Sequence, residues 1–148
     1  MKFEQLFSRN RVLFEYELTK HELIKKMCVA FFEDGIVSNL EQFELDIYKR
    51  EEEYSTYVGH GIAIPHAISK QVKEAGICFL KLEHNLSYGE REEDVRLVFM
   101  LAIPENSSEN HLRILSSLAK NLMKEDFRKL LEYSNDIDDF YRAIKTIQ

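Results

Sequence analysis

Residues 95–103 read VRLVFMLAI, and Arg96 is the one charged side chain among them. Successive side chains of a strand point to opposite faces, so a strand wetted on one side alternates apolar with polar residues. This run does not alternate. It predicts a central strand covered on both faces, ended by Pro104, which fixes its own φ and has no N–H to donate. A sheet buried on both sides needs helices on both sides. The run therefore predicts an α/β fold: a sandwich built on a mixed parallel/antiparallel β-sheet with helices on both faces.

The flanking segments supply the parts. Upstream, 77–82 (ICFLKL), 61–65 (GIAIP, closed by Pro65) and 12–18 (VLFEYEL) read as further strands. Thr19 and Glu22 form a capping box before Leu23, Met27, Ala30 and Phe31 at helical spacing, with Gly35 as the stop. Ser38 and Glu41 offer a second box ahead of Leu40, Phe43 and Ile47, in a helix expected to fray over the charged residues 50–53. Downstream, 109–123 predicts a helix with Leu112, Leu115, Leu118 and Leu122 inward. Phe127, Leu130 and Leu131 form another helical face, and 135–147 a last helix on Ile137, Phe140, Tyr141 and Ile144. No repeat, linker or low-complexity block interrupts the pattern, so residues 1–148 are expected to form one domain.

Composition limits the function. The chain has 148 residues, 45% hydrophobic and 31% charged, enough for an ordinary core. Its net charge of −6 with no basic run disfavours nucleic acid as a partner. No apolar stretch approaches the ~20 residues of a membrane helix, and charges scattered over the first eighteen residues leave no signal-peptide core. A cytoplasmic protein is expected. Cys28 and Cys78 stand far apart in apolar surroundings and read as buried thiols.

Five histidines remain to be weighed. His21, in the first turn of a capped helix, and His84, in an expected turn, read as exposed surface residues. His66 directly follows Pro65, at a strand end, where sites of α/β sheets collect; on local sequence alone it reads first as a hydrogen-bonded turn histidine. His111 begins a helix on its apolar side and reads as a half-buried histidine. Yet helix N-termini attract anions and favour a neutral imidazole. His60 and His66 do not match HExxH, and no Cys or Asp stands at ligand spacing, so no metal is expected. GxSxG and the P-loop are absent, which disfavours a serine hydrolase and a nucleotide-driven kinase. Arg50, within a K-R-E-E-E run, reads locally as a solvated charge.

The stretch 50–67, REEEYSTYVGHGIAIPHA, resembles the active-site signature of the fructose/mannitol-type enzyme IIA domains (EIIA type-2) of the bacterial phosphoenolpyruvate-dependent sugar phosphotransferase system (PTS). The resemblance continues through VRLVFMLAIPEN and HLRILSSLAKNLMKEDFRKLL, from about Glu17 to the end. It implies a phosphocarrier: a histidine takes a phosphoryl group from the phosphocarrier HPr and passes it to a cysteine of a IIB domain for sugar uptake. Membrane contact would come only indirectly, through the IIC transporter. Carried over by motif, His66 is the phosphorylated residue and Arg50 and His111 its catalytic partners. Ser55 and Thr56 are the small hydroxyl pair at the phosphoryl group. No cofactor is implied, because the donor group is already activated. Two residues depart from the pattern: His60 stands where the family commonly has Asn, and Tyr57 where it often has Gly. The resemblance also admits a regulatory IIA-like protein that senses phosphorylation state. Met1 followed by a domain of family length reads as a free-standing subunit.

Overall fold

The central strand lies where the apolar run predicts it. The computed structural model describes residues 3–106 and 108–147. Two short 3-10 turns, Phe3–Leu6 and Arg9–Arg11, lead into β1 (Val12–Glu15), α1 (Lys20–Glu33) and α2 (Leu40–Glu53). Three short strands follow: β2 (Tyr57–Gly59), β3 (Ile62–Ala63) and β4 (His66–Ser69). Then come the long strands β5 (Gly76–Ser87) and β6 (Asp94–Pro104), and the helices α3 (Ser108–Leu122), α4 (Glu125–Glu132) and α5 (Ile137–Ile144). Among the described residues the sheet has the order β1-β5-β6-β3-β2, with β4 also on β6. β1 is parallel to β5, β5 antiparallel to β6, and β3 and β4 are both parallel to β6.

Alternate residues of β6 separate two cores. Val95, Val98, Met100 and Ala102 face Leu23, Met27, Phe31, Phe43 and Ile47 of α1 and α2. Leu97, Phe99, Leu101 and Ile103 face Leu118, Phe127, Leu131, Phe140 and Ile144 of α3 to α5. Phe79, Phe99 and Phe140 cluster at the second face, with Phe79 stacked on Phe140 at 4.3 Å between centroids. Truncating one such ring to alanine costs about 3–5 kcal/mol.

The capping box on α1 forms as the sequence predicts: Glu22 N–H donates to Thr19 Oγ1 at 3.1 Å and Thr19 N–H to Glu22 Oε1 at 2.9 Å. Several expectations need correction. The cap of α2 is Asn39, whose side chain accepts from Gln42 N–H at 3.0 Å, while Ser38 donates its hydroxyl to the Gln71 carbonyl. α2 does not fray but stays helical to Glu53, because Glu51 is held by residues distant in sequence. β1 ends at Glu15. β5 runs through His84 to Ser87 with a register shift after Lys81, so His84 lies in a strand, exposed, with its ring 4.4 Å from that of Tyr16. Leu130 is 44% exposed rather than inward. The side chain of Leu112 lies outside the described residues. Both cysteines are buried, which raises their thiol pKa values.

Candidate functional site

β3 and β4 run in tandem along one edge of β6: Ile62 and Ala63 pair with Leu97 and Val98, and His66–Ser69 with Leu101 through Pro104. Between them the ladder breaks at Ile64 and Pro65. The Pro65 carbonyl still accepts from Leu101 N–H at 3.0 Å. The Ile64 carbonyl accepts instead from His66 Nδ1, at 2.8 Å. A carbonyl oxygen can only accept, so Nδ1 carries the ring proton and Nε2 carries the lone pair. Among the described residues nothing hydrogen-bonds Nε2. Burial holds the His66 pKa below its ordinary value, against a smaller upward pull from the Ile64 bond; Arg50 lowers it further, while Glu51 and Glu53 raise it. The ring is therefore neutral near pH 7.

α2 lies beside β4 and presents Asp46, Lys49, Arg50 and Glu53 at helical spacing. With His66, Ala67 and Ile68 they line a cleft of about 320 Å³. Asp46 ties helix to strand, accepting from the Ser69 hydroxyl at 2.6 Å and from Gln42 Nε2 at 3.1 Å. Arg50, in the last turn of α2, donates from Nη1 to the Tyr54 carbonyl at 3.1 Å, and its guanidinium lies over the Tyr54 ring.

Behind the cleft, Glu51 Oε1 accepts from the Tyr88 hydroxyl at 2.8 Å and from the Thr56 hydroxyl, and Oε2 from Lys20 Nζ at 3.3 Å. Thr56 Oγ1 and Tyr88 OH are also 2.9 Å apart. Two hydroxyl protons thus serve three close contacts around one carboxylate. The Lys20 ammonium also lies over the Tyr88 ring, 4.0 Å from its centroid.

The structure thus brings His66 and Arg50 into one cleft. Thr56 is buried in the Glu51 cluster. Ser55 accepts from Tyr57 N–H at 3.2 Å and lines a neighbouring cleft with Tyr54, Tyr88 and Glu93. His111 is more buried than its position suggested, at 4% exposure in the first turn of α3, and burial lowers its pKa. The acidic residues 51–53 are divided: Glu51 is enclosed, with a side chain 5% exposed, and Glu53 lines the His66 cleft. Asp46, Lys49 and Glu53 were missed as cleft residues. Their signal was available in the spacing 46, 49, 50, 53, which is one helical face.

The last residue of β2 and the two residues that join it to β3 explain one departure from the family pattern. Gly59, His60 and Gly61 have φ of 97°, 55° and 75°. Only glycine enters this left-handed region freely, with Asn, Asp and His the best tolerated of the rest. Asn and His are therefore interchangeable at position 60 for a backbone reason.

The family model for the phosphoenolpyruvate-dependent sugar phosphotransferase system, EIIA 2, matches residues 5–147. The chain is 32% identical over 133 residues to the fructose-specific EIIABC component of the PTS of Bacillus subtilis (strain 168), which covers 88% of this chain and 21% of that one. It spans 15% of the length of the Multiphosphoryl transfer protein 1 of Escherichia coli (strain K12), so these curated relatives are several times longer. Its fold is similar to nitrogen regulatory protein IIA-Ntr from Neisseria meningitidis (TM-score 0.86, 23% identity, covering 95% of this chain and 97% of that one). It is also similar to the Escherichia coli enzyme IIA for mannitol solved in complex with phosphorylated IIB (TM-score 0.81, 23% identity, 95% and 99%). With a family match over nearly its whole length, the chain belongs to the EIIA type-2 family of the phosphoenolpyruvate-dependent sugar phosphotransferase system.

Proposed function

We propose that the chain is a phosphocarrier that accepts a phosphoryl group from phospho-HPr on His66 Nε2 and passes it to a IIB cysteine for sugar uptake. The observation that carries this reading is the Nδ1–Ile64 bond, which leaves Nε2 as a neutral nucleophile in the cleft that also holds Arg50. As the Nε2–P bond forms, the N–P bond of the donor breaks and its electron pair returns to the donor ring. The proton stays on Nδ1, donated to the Ile64 carbonyl, so no separate base is needed.

The transition state is loose, with charge over three equatorial oxygens, so the protein's work is positioning and charge stabilisation. Arg50 supplies a permanent charge with forked donors. His111 supplies a neutral N–H. In this reading the Thr56 hydroxyl acts from behind, through Glu51, and Ser55 acts at the rim. The P–N bond is labile, which suits a relay; a serine ester would be a dead end.

The test is incubation with phosphoenolpyruvate, enzyme I and HPr. The expected product is an acid-labile, base-stable phosphate on the wild type and none on His66→Ala, chased onto purified IIB. Label kept at the wild-type level in a folded His66→Ala chain overturns the assignment.

A further inference from the structure

Tyr54 is a bulky aromatic residue that this reading of the site does not use. It is 69% exposed, so it does nothing for the core. It is the C-cap of α2, and its backbone is extended (φ −171°, ψ 156°), so the chain leaves the helix there and folds back on the last turn. Arg50, four residues earlier, is held by Tyr54 at two points: Nη1 donates to the Tyr54 carbonyl at 3.1 Å, and the guanidinium carbon lies 4.3 Å from the ring centroid. We propose that Tyr54 is a positioning residue, a platform that holds the Arg50 guanidinium ready for the phosphoryl group on His66. The proposal rests on the phosphocarrier reading above.

The physical case is one of entropy and direction. An exposed arginine samples many rotamers and must give them up when it engages a phosphoryl group. A ring against the guanidinium face limits that freedom beforehand, through cation–π attraction. It also leaves the edge donors other than Nη1 available, and the edge is where arginine binds phosphate oxygens in forked fashion. Arg50 lines the same cleft as His66, so the held group is already beside the acceptor. The Tyr54 hydroxyl takes no part, so phenylalanine should serve as well and leucine should not.

An exposed aromatic residue could instead contact the protein donor. Potassium phosphoramidate, a small donor that needs no docking surface, separates the two roles. Labelling of His66 by phosphoramidate should fall about three- to tenfold in Tyr54→Leu and return in Tyr54→Phe. In an Arg50→Ala background, Tyr54→Leu should change nothing further. The Arg50 Nε–H resonance should be displaced by the ring current in the wild type and in Tyr54→Phe, and should lose that displacement in Tyr54→Leu. Equal labelling of the wild type and Tyr54→Leu overturns the proposal alone, as does a Tyr54→Leu effect that persists without Arg50. A folded wild type that takes no label from phosphoramidate or phospho-HPr removes the phosphocarrier reading, and this proposal with it.

Discussion

His66 Nδ1 donates across Pro65 to the carbonyl of Ile64, two residues back along its own chain. The bond exists because the ladder with β6 breaks at that point, and it decides which ring nitrogen would be the nucleophile in the proposed reaction. The expected tautomer is Nδ1–H throughout the neutral range, readable from the ring nitrogen shifts. Protonation of Nε2 removes the lone pair, so acceptance should fail only on the acid side. Burial lowers the pKa, so the rate should stay level down through the ordinary histidine value near 6.5 and fall below it. Stability follows the same sign. The unfolded chain binds protons at a higher pH than the folded one at both His66 and His111, so stability drops as pH falls from about 6.5 toward the folded values. A rate that falls already between pH 8 and 7 contradicts this account.

Arg50 and His111 should act on the phosphoryl group more than on the fold. Arg50 is partly exposed at a helix end, and its loss should move the melting temperature by no more than a degree or two, about 0.5 kcal/mol. Transfer from phospho-HPr should fall about 100-fold in Arg50→Ala, the scale seen when one charge-stabilising donor is lost. Arg50→Lys should recover part of it, keeping the charge without the fork. His111→Ala should still accept phosphate, but more slowly or with a shorter-lived phosphohistidine. It should also cost about 1–2 kcal/mol of stability, because His111 is buried. Single-turnover transfer read beside thermal melts separates the two effects. Wild-type transfer rates in both folded alanine variants would disprove the roles proposed for Arg50 and His111.

Glu53 sits in the cleft with His66, where in the proposed reaction its charge would oppose an incoming phosphoryl group. It also favours the protonated imidazole, which cannot attack. Glu53→Gln should therefore accept phosphate faster, by about two- to fivefold at low salt, with the advantage shrinking as salt screens the charge. The expected pH profile moves to lower pH. A slower Glu53→Gln would mean that the carboxylate contacts the donor protein, which a phosphoramidate control would expose.

The parts legible in the sequence were those written in local pattern. The unbroken apolar run of β6 required two covered faces, and α1 to α5 followed from caps and helical spacing. What the sequence hid depends on distant partners. Residues 50–53 read as a solvated charge run because nothing local reveals Lys20, Thr56 and Tyr88 gathered around Glu51. β5 read as ending near residue 82 because Glu83, His84 and Asn85 are exposed and polar, yet His84 N–H donates to the Tyr16 carbonyl at 3.0 Å. The site shows the same division. The motif alone singles out His66 as the candidate acceptor, whereas Tyr54 against Arg50 depends on how the chain leaves α2.

Position 60 offers a stability test that does not touch the chemistry. His60 is the non-glycine residue in a run of three positive φ values. His60→Asn should be neutral or slightly stabilising. His60→Gly should lie within about 1 kcal/mol of the wild type, since relief of strain is offset by greater freedom of the unfolded chain. His60→Val, β-branched, should cost about 1–3 kcal/mol. Phosphoryl transfer should remain unchanged in the Asn variant. A valine variant as stable as the wild type would show that the turn can adopt another conformation.

Glu51 should be the residue whose loss damages both the fold and the site. Its carboxylate is enclosed and takes three donors, from α1, from the segment before β2 and from the residue after β5. Glu51→Ala leaves the Thr56 and Tyr88 hydroxyls without their common acceptor and Lys20 without its counter-charge. Losing one partner of a buried pair costs about 3–5 kcal/mol, with the lower end expected here because Lys20 keeps partial contact with water. Tyr88→Phe removes one hydroxyl and should cost about 1 kcal/mol. The two changes should not add, since Tyr88→Phe in an Glu51→Ala background has little left to lose. Because Glu51 directly follows Arg50, release of the end of α2 should also loosen the guanidinium and slow transfer, although Glu51 bonds neither His66 nor the phosphoryl group in this account. Urea melts of the double-mutant cycle test the first claim, and single-turnover transfer in Tyr88→Phe, the variant that keeps most of its stability, tests the second. Additive losses in the cycle would mean that the three contacts are independent and that α2 is held to Glu53 by something other than this cluster.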